Sequence, residues 1–137
     1  MQLKSVKRTD WIKYEELNDL IGEADISLGI FPLAGKGCRV IPNKLFQIMA
    51  TGRPLITADT PAIREILTPG PGLRLVSPGD PCHTATQIID LADALNDPEE
   101  RLHELKAAQN FPLIDQAFIS RKVRKALSLM YNIPSKM

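Results

Sequence analysis

Short apolar runs bounded by glycine and proline alternate along this chain with stretches whose apolar residues recur every three or four positions. Leu17, Leu20 and Ile21, within Tyr14 to Ile21, line one face of a helix. Ala24 to Phe31 is short, in part β-branched and closed by Pro32, which predicts a buried strand. A loop with Gly35 and Gly37 follows. Asn43 then stands at an N-cap position, ahead of a helix with Leu45, Phe46, Ile48 and Met49 on its buried side and Gly52 as its C-cap. Pro54 to Ala58 returns as a strand, and Thr60-Pro61 opens a short helix with a capping residue and a proline in its first turn. Leu73 to Val76 is a further strand between a turn at Pro69 to Gly72 and another at Pro78-Gly79. Asp80-Pro81 starts a long helix carrying Ile88, Ile89, Leu91, Ala92 and Leu95. Asp97-Pro98-Glu99-Glu100 starts the next with a capping box, in which Glu100 reaches back to the Asp97 amide. A last helix runs from about Leu113 to Met130.

Strands joined in this way by helices require a parallel sheet covered on its faces, so the fold class is α/β, a Rossmann-like parallel sheet with helices on both faces. Leu3 to Val6 adds one candidate strand at the front. The sheet then has only about four or five strands, where doubly wound domains often have five or six. The chain is therefore expected to be a single domain incomplete on its N-terminal side. Such a sheet leaves an edge and apolar helix faces open, from which self-association into a homo-oligomer is expected.

Composition narrows the partners. The chain has 137 residues, 44% of them hydrophobic, enough for one core. Charged residues make up 24% and leave a formal net charge of +1, a balance that does not suit a nucleic-acid binder. Cys38 and Cys82 form neither a CxxC pair nor a disulfide framework, and no leader is recognisable, so a reducing cytoplasm fits. No metal and no cofactor is indicated. No apolar stretch is long enough to span a bilayer. Arg121, Lys122, Arg124 and Lys125 on the last helix leave open a peripheral contact with anionic lipid at the inner face of the membrane, although a solvated helix face is the simpler reading.

Ligands of open α/β sheets bind at the carboxyl ends of the strands. The loop from Pro32 to Asn43 leaves one such end. Its glycines let backbone amides approach a ligand, and the amides of Lys44 and Leu45 are expected to be free and positively polarised at the start of the helix. Lys36, Arg39 and Lys44 add full charges, and only Arg39 can grip two phosphate oxygens at once. Gln47, one turn into the helix, both donates and accepts, which suits a ribose diol. Each of these residues alone reads as a cap or a surface group. Gathered on one loop, they suggest a site for a nucleoside diphosphate.

The ordered series from Arg39 to Gln47, then Met49-Ala50, Gly52 to Ala62, Arg64-Glu65, Leu75-Val76 and Pro78-Gly79-Asp80 resembles the donor-binding domain of GT-B glycosyltransferases. The likeness is to the group 1, family 4-like branch, whose members form the new glycosidic linkage with retained configuration, and covers most of the chain, from the helix before Asp25 to near Leu95. The resemblance implies the C-terminal half of a GT-B architecture, binding a nucleoside diphosphate sugar, with a separate N-terminal domain for the acceptor. It implies a donor site formed by Lys36, Gly37, Arg39, Val40, Ile41, Asn43, Lys44 and Gln47. The family's paired glutamates, eight positions apart, would fall on Arg39 and Gln47, so both acids are absent here. Gln47 keeps the hydrogen bonds to ribose without the charge. The basic pair that the family supplies to the diphosphate from an earlier strand and helix has no counterpart, and the chain alone is expected to be inactive or nearly so.

Two other readings stay open: a non-catalytic α/β module that binds a nucleotide or a protein, and a GT-B-like sugar-nucleotide epimerase domain. Gly70-Pro71-Gly72 lacks a third glycine and reads as a turn. Ala34 to Gly37 lacks the spacing of a phosphate-binding P-loop. His83 and His103 are isolated and read as surface or capping residues.

Overall fold

The computed structural model describes residues 5–112 and 116–131. Its elements, in chain order, are α1 (Tyr14–Glu23), β1 (Ser27–Leu28), a 3-10 turn (Gly35–Arg39), α2 (Asn43–Thr51), β2 (Leu55–Ala58), α3 (Pro61–Arg64), β3 (Leu73–Val76), α4 (Pro81–Asn96), α5 (Pro98–Gln109) and α6 (Gln116–Tyr131). The strands form one parallel sheet in the order β1-β2-β3. Of the candidate strand Leu3 to Val6, Leu3 lies outside the described residues, and Val6 is not in a strand.

Alternation along β2 divides the core. Leu55 joins Leu45, Ile48 and Met49 of α2, Ile63 of α3, and Leu67 and Leu73 on one face. Ile56 joins Val76, Leu91 and Leu95 on the other, beneath α4. All four residues of β2 are buried, as a central parallel strand covered on both faces requires. The α/β expectation with helices on both faces is met.

β1 is shorter than the expected Ala24 to Phe31, and among the described residues it pairs with β2 alone. Its ladder nevertheless continues: the Gly29 amide donates to Ile56 O at 2.8 Å, and the Ala58 amide donates to Ile30 O at 3.0 Å. Leu28, on this edge, is 41% exposed. Gly29 is needed for close packing. A Cβ there would stand 2.4 Å from Thr57 Oγ1, and that hydroxyl is committed, accepting from the Ile30 amide at 3.2 Å and donating to the Ile30 carbonyl at 3.1 Å.

Caps set the helix ends. Gly52 closes α2 in the left-handed conformation with φ 63°. Thr60 accepts from the Ile63 amide, Asp80 from the His83 amide, and Asp97 from the amides of both Glu99 and Glu100. The reciprocal contact expected from Glu100 to the Asp97 amide does not form. Along α4, Ile88, Leu91 and Leu95 turn inward, but Ile89 is 60% exposed, being a third of a turn past Ile88.

α5 crosses the amino end of the sheet. A Cβ on Gly72, just before β3, would meet the Ala108 amide nitrogen at 2.6 Å, and one on Gly52, just before β2, would meet Gln109. Glu104 is buried there, accepting from the Gly72 amide and pairing with Arg74. The opposite, carboxyl end of the strands is left to the loops and helix starts that follow them.

Candidate functional site

α2 leads from β1 to β2, two parallel neighbours, so its start lies at the carboxyl rim of the sheet. Lys44 demonstrates this directly: its Nζ donates to the carbonyl of Gly29 at the end of β1, at 3.2 Å. Two details differ from expectation. Asn43 is the first helical residue and not the cap; Pro42 takes the cap position with extended backbone and offers no side-chain acceptor. The Leu45 amide is also not free, since it donates to Pro42 O at 3.0 Å in a tightened first turn. The amides of Asn43 and Lys44 bond to nothing among the described residues, and both residues are exposed. The unsatisfied, positively polarised end is thus shifted one residue toward the N-terminus.

The loop before α2 is folded over the rim. Gly37 sits against Pro32, where a Cβ would approach the proline Cβ to 2.7 Å, and Leu33 lies over Gly79 after β3. The 3-10 turn Gly35–Arg39 packs on α3. Gly35 takes φ 80°, a conformation that favours glycine. Lys36 and Arg39 are exposed on this turn and have no ion-pair partner among the described residues. Val40 is extended and 38% exposed. Ile41 is half-buried against the α2 face of the core, so its side chain anchors the loop and only its backbone is left for a ligand. Gln47 is half-buried on α2, and its amide has no bond among the described residues.

Three rim features were not read from the sequence. Asp59, immediately after β2, receives a two-pronged contact from Arg64, Nε to Oδ1 at 2.6 Å and Nη2 to Oδ2 at 2.7 Å. That hydrogen bonding, aided by the charge of Arg64 and opposed by desolvation, holds the Asp59 carboxyl below its ordinary 3.8. A lowered carboxyl pKa contributes fully above the unfolded value and loses the contribution as pH falls through the folded one. At neutral pH the pair is therefore closed, and Arg64 is occupied. The second feature is the Thr57 clasp on Ile30, which fixes the exit of β1. The third is a cleft of about 360 Å³ between Phe31 and the start of α4, lined also by Gly79, Asp80, Thr84 and Ile88. None of the sequence-predicted residues lines it. Beside it, the Ser77 amide donates to His83 Nδ1 at 3.1 Å, a loop-pinning role for His83.

The geometry therefore offers an anion two unbonded amides, two exposed cations on a folded-over loop and a nearby amide side chain. No three or more His, Cys, Asp or Glu are gathered for a metal among the described residues. Against known proteins, the family model described as "Glycosyl transferases group 1" matches residues 2–94. No curated protein and no solved structure matches the chain significantly.

Proposed function

Since the chain belongs to the group 1 glycosyltransferase family, we propose that it holds the nucleoside diphosphate sugar from which the sugar is transferred. The observation that carries this reading is the start of α2, which opens on the carboxyl rim with its Asn43 and Lys44 amides unbonded. The diphosphate lies against these amides and between Lys36 and Arg39, with the backbone of Gly37, Val40 and Ile41 beside the sugar. Lys44 contributes through its amide more than its ammonium, which is spent on the Gly29 carbonyl. Gln47 grips the ribose.

With Arg39 and Gln47 where the family has acids, the donor is held mainly by dipoles and cations. Residues of a further acceptor domain complete the reaction centre, so the chain alone binds the nucleotide and transfers little or nothing. Titration calorimetry with uridine, guanosine and adenosine diphosphates tests this reading. Gln47→Ala is expected to weaken the best binder about fivefold, the roughly 1 kcal/mol net worth of a hydrogen bond. An unchanged affinity removes Gln47 from the site.

A further inference from the structure

We propose that the chain associates with a second copy of itself, α6 of one copy lying along α1 of the other. The two helices carry opposite charge. α1 holds Glu15, Glu16, Asp19 and Glu23 with no lysine or arginine, whereas α6 holds Arg121, Arg124 and Lys125, besides Lys122, with no Asp or Glu. These acids and the first three cations are exposed and have no ion-pair partner among the described residues. Lys122 is left out of the contact, because its Nζ already donates to the Glu65 carbonyl at 2.9 Å.

Each charged row borders apolar surface that is left in water. On α1, Leu20 is 47% exposed and stands between Glu16, four residues before it, and Glu23, three after it, which puts the three on one side of the helix. On α6, Val123 and Leu127 are four apart and 50% and 44% exposed, with Arg124 three before Leu127 and Arg121 three before that. No helix among the described residues is long and apolar enough to cross a membrane. Laid together, Val123 and Leu127 cover Leu20, while Arg121 and Arg124 reach Glu16, Asp19 and Glu23. Exposed apolar residues grouped in this way mark a contact surface.

Charge selects the occupant. α6 against α6, or α1 against α1, would set like charges face to face, so the contact joins unlike helices of two copies. Within one chain no ion pair joins the two among the described residues: α1 rests on α2, and α6 is tied to the end of α3. Because both helices attach to the layer that α2 and α3 form, a two-fold pair can make the same contact twice. Exposed ion pairs contribute little each, so the covered apolar residues supply the affinity and the charges supply register and choice of partner.

Sedimentation velocity of the full chain over a range of concentration and salt tests the proposal. Reversible association that weakens as salt is raised is expected. Asp19→Lys combined with Glu23→Lys, and separately Arg121→Glu combined with Arg124→Glu, should each lower self-association roughly tenfold or more, whereas an equal mixture of the two variants should recover it. In the mixture each variant supplies the charge that the other now needs. All four side chains are exposed, so the melting transition of each variant should stay close to that of the parent. If one variant does not fold, the other and the salt dependence decide the matter. A chain that stays monomeric at every concentration, association untouched by the reversals, as pairing along β1 would give, or a mixture that fails to recover it would overturn the proposal.

Discussion

Glu104→Ala is expected to destabilise the domain by about 3 kcal/mol, the lower end of the range for removing one partner of a buried ion pair. In a chain of this size that lowers the melting midpoint by roughly 10 °C. Two groups lose their partner together. The Gly72 amide, which donates to the Glu104 carboxylate, is left without that acceptor in a buried turn with φ 78° against α5. Arg74, with 23% of its side chain exposed, keeps only its bond to the Gly70 carbonyl. Glu104→Gln retains an acceptor for Gly72 and should lose clearly less. Equal melting curves for Glu104→Ala and the parent chain would show that the contact contributes nothing net. Because α5 braces the amino end of the sheet, nucleotide affinity should hardly change below the melting transition.

Leu45→Ala is expected to cost about 3 kcal/mol, within the range for removing a buried leucine side chain where the surroundings collapse only partly. Leu45 is fully buried in the cluster that seats α2, and its Cδ1 lies 3.3 Å from where a Cβ on Gly29 would stand. This substitution should also disturb the site. The cavity lies under the first turn of α2, so the unbonded amides and the Lys44 contact to Gly29 lose their support. Urea titration should report the stability loss, and calorimetry below the transition should report weaker nucleotide binding. A stability loss with unchanged nucleotide affinity would detach the start of α2 from the site. Glu104→Ala and Leu45→Ala thus separate general destabilisation from damage to the rim.

What the sequence disclosed and what it hid divide along physical lines. β2 and β3 were legible because buried parallel strands read as short apolar runs between breakers, and the starts of α3, α4 and α5 because a local side chain caps each. Asn43 was placed one residue too far out, since Pro42 can occupy a cap position without offering an acceptor. The amide of Leu45 was expected to be free, but the turn that binds it to Pro42 is a backbone event with no side-chain signature. Glu104 was invisible for a different reason: α5 mixes apolar and charged residues without a one-sided pattern, and a buried carboxylate is specified by partners 30 and 32 residues away. The Thr57 clasp is likewise tertiary, joining β2 to the segment just after β1, whereas the Asp59–Arg64 pair is local, five residues apart across a cap, and neither residue type announces it. Loop residues Lys36 to Lys44 could be named because glycines, cations and a helix start cluster in sequence. Their arrangement over the rim depends on Pro32, Leu33 and α3, which the pattern does not join to them.

Backbone amide spectra of nitrogen-15-labelled chain, recorded while a nucleoside diphosphate is titrated in, test the central claim most directly. The account predicts that the amides of Asn43 and Lys44 shift most, followed by those of Gly37 to Val40, with one common saturation curve and little movement in α5. Saturable binding that leaves the Asn43 and Lys44 amides unmoved, or shifts centred on α5 or on the amino end of the sheet, would contradict it.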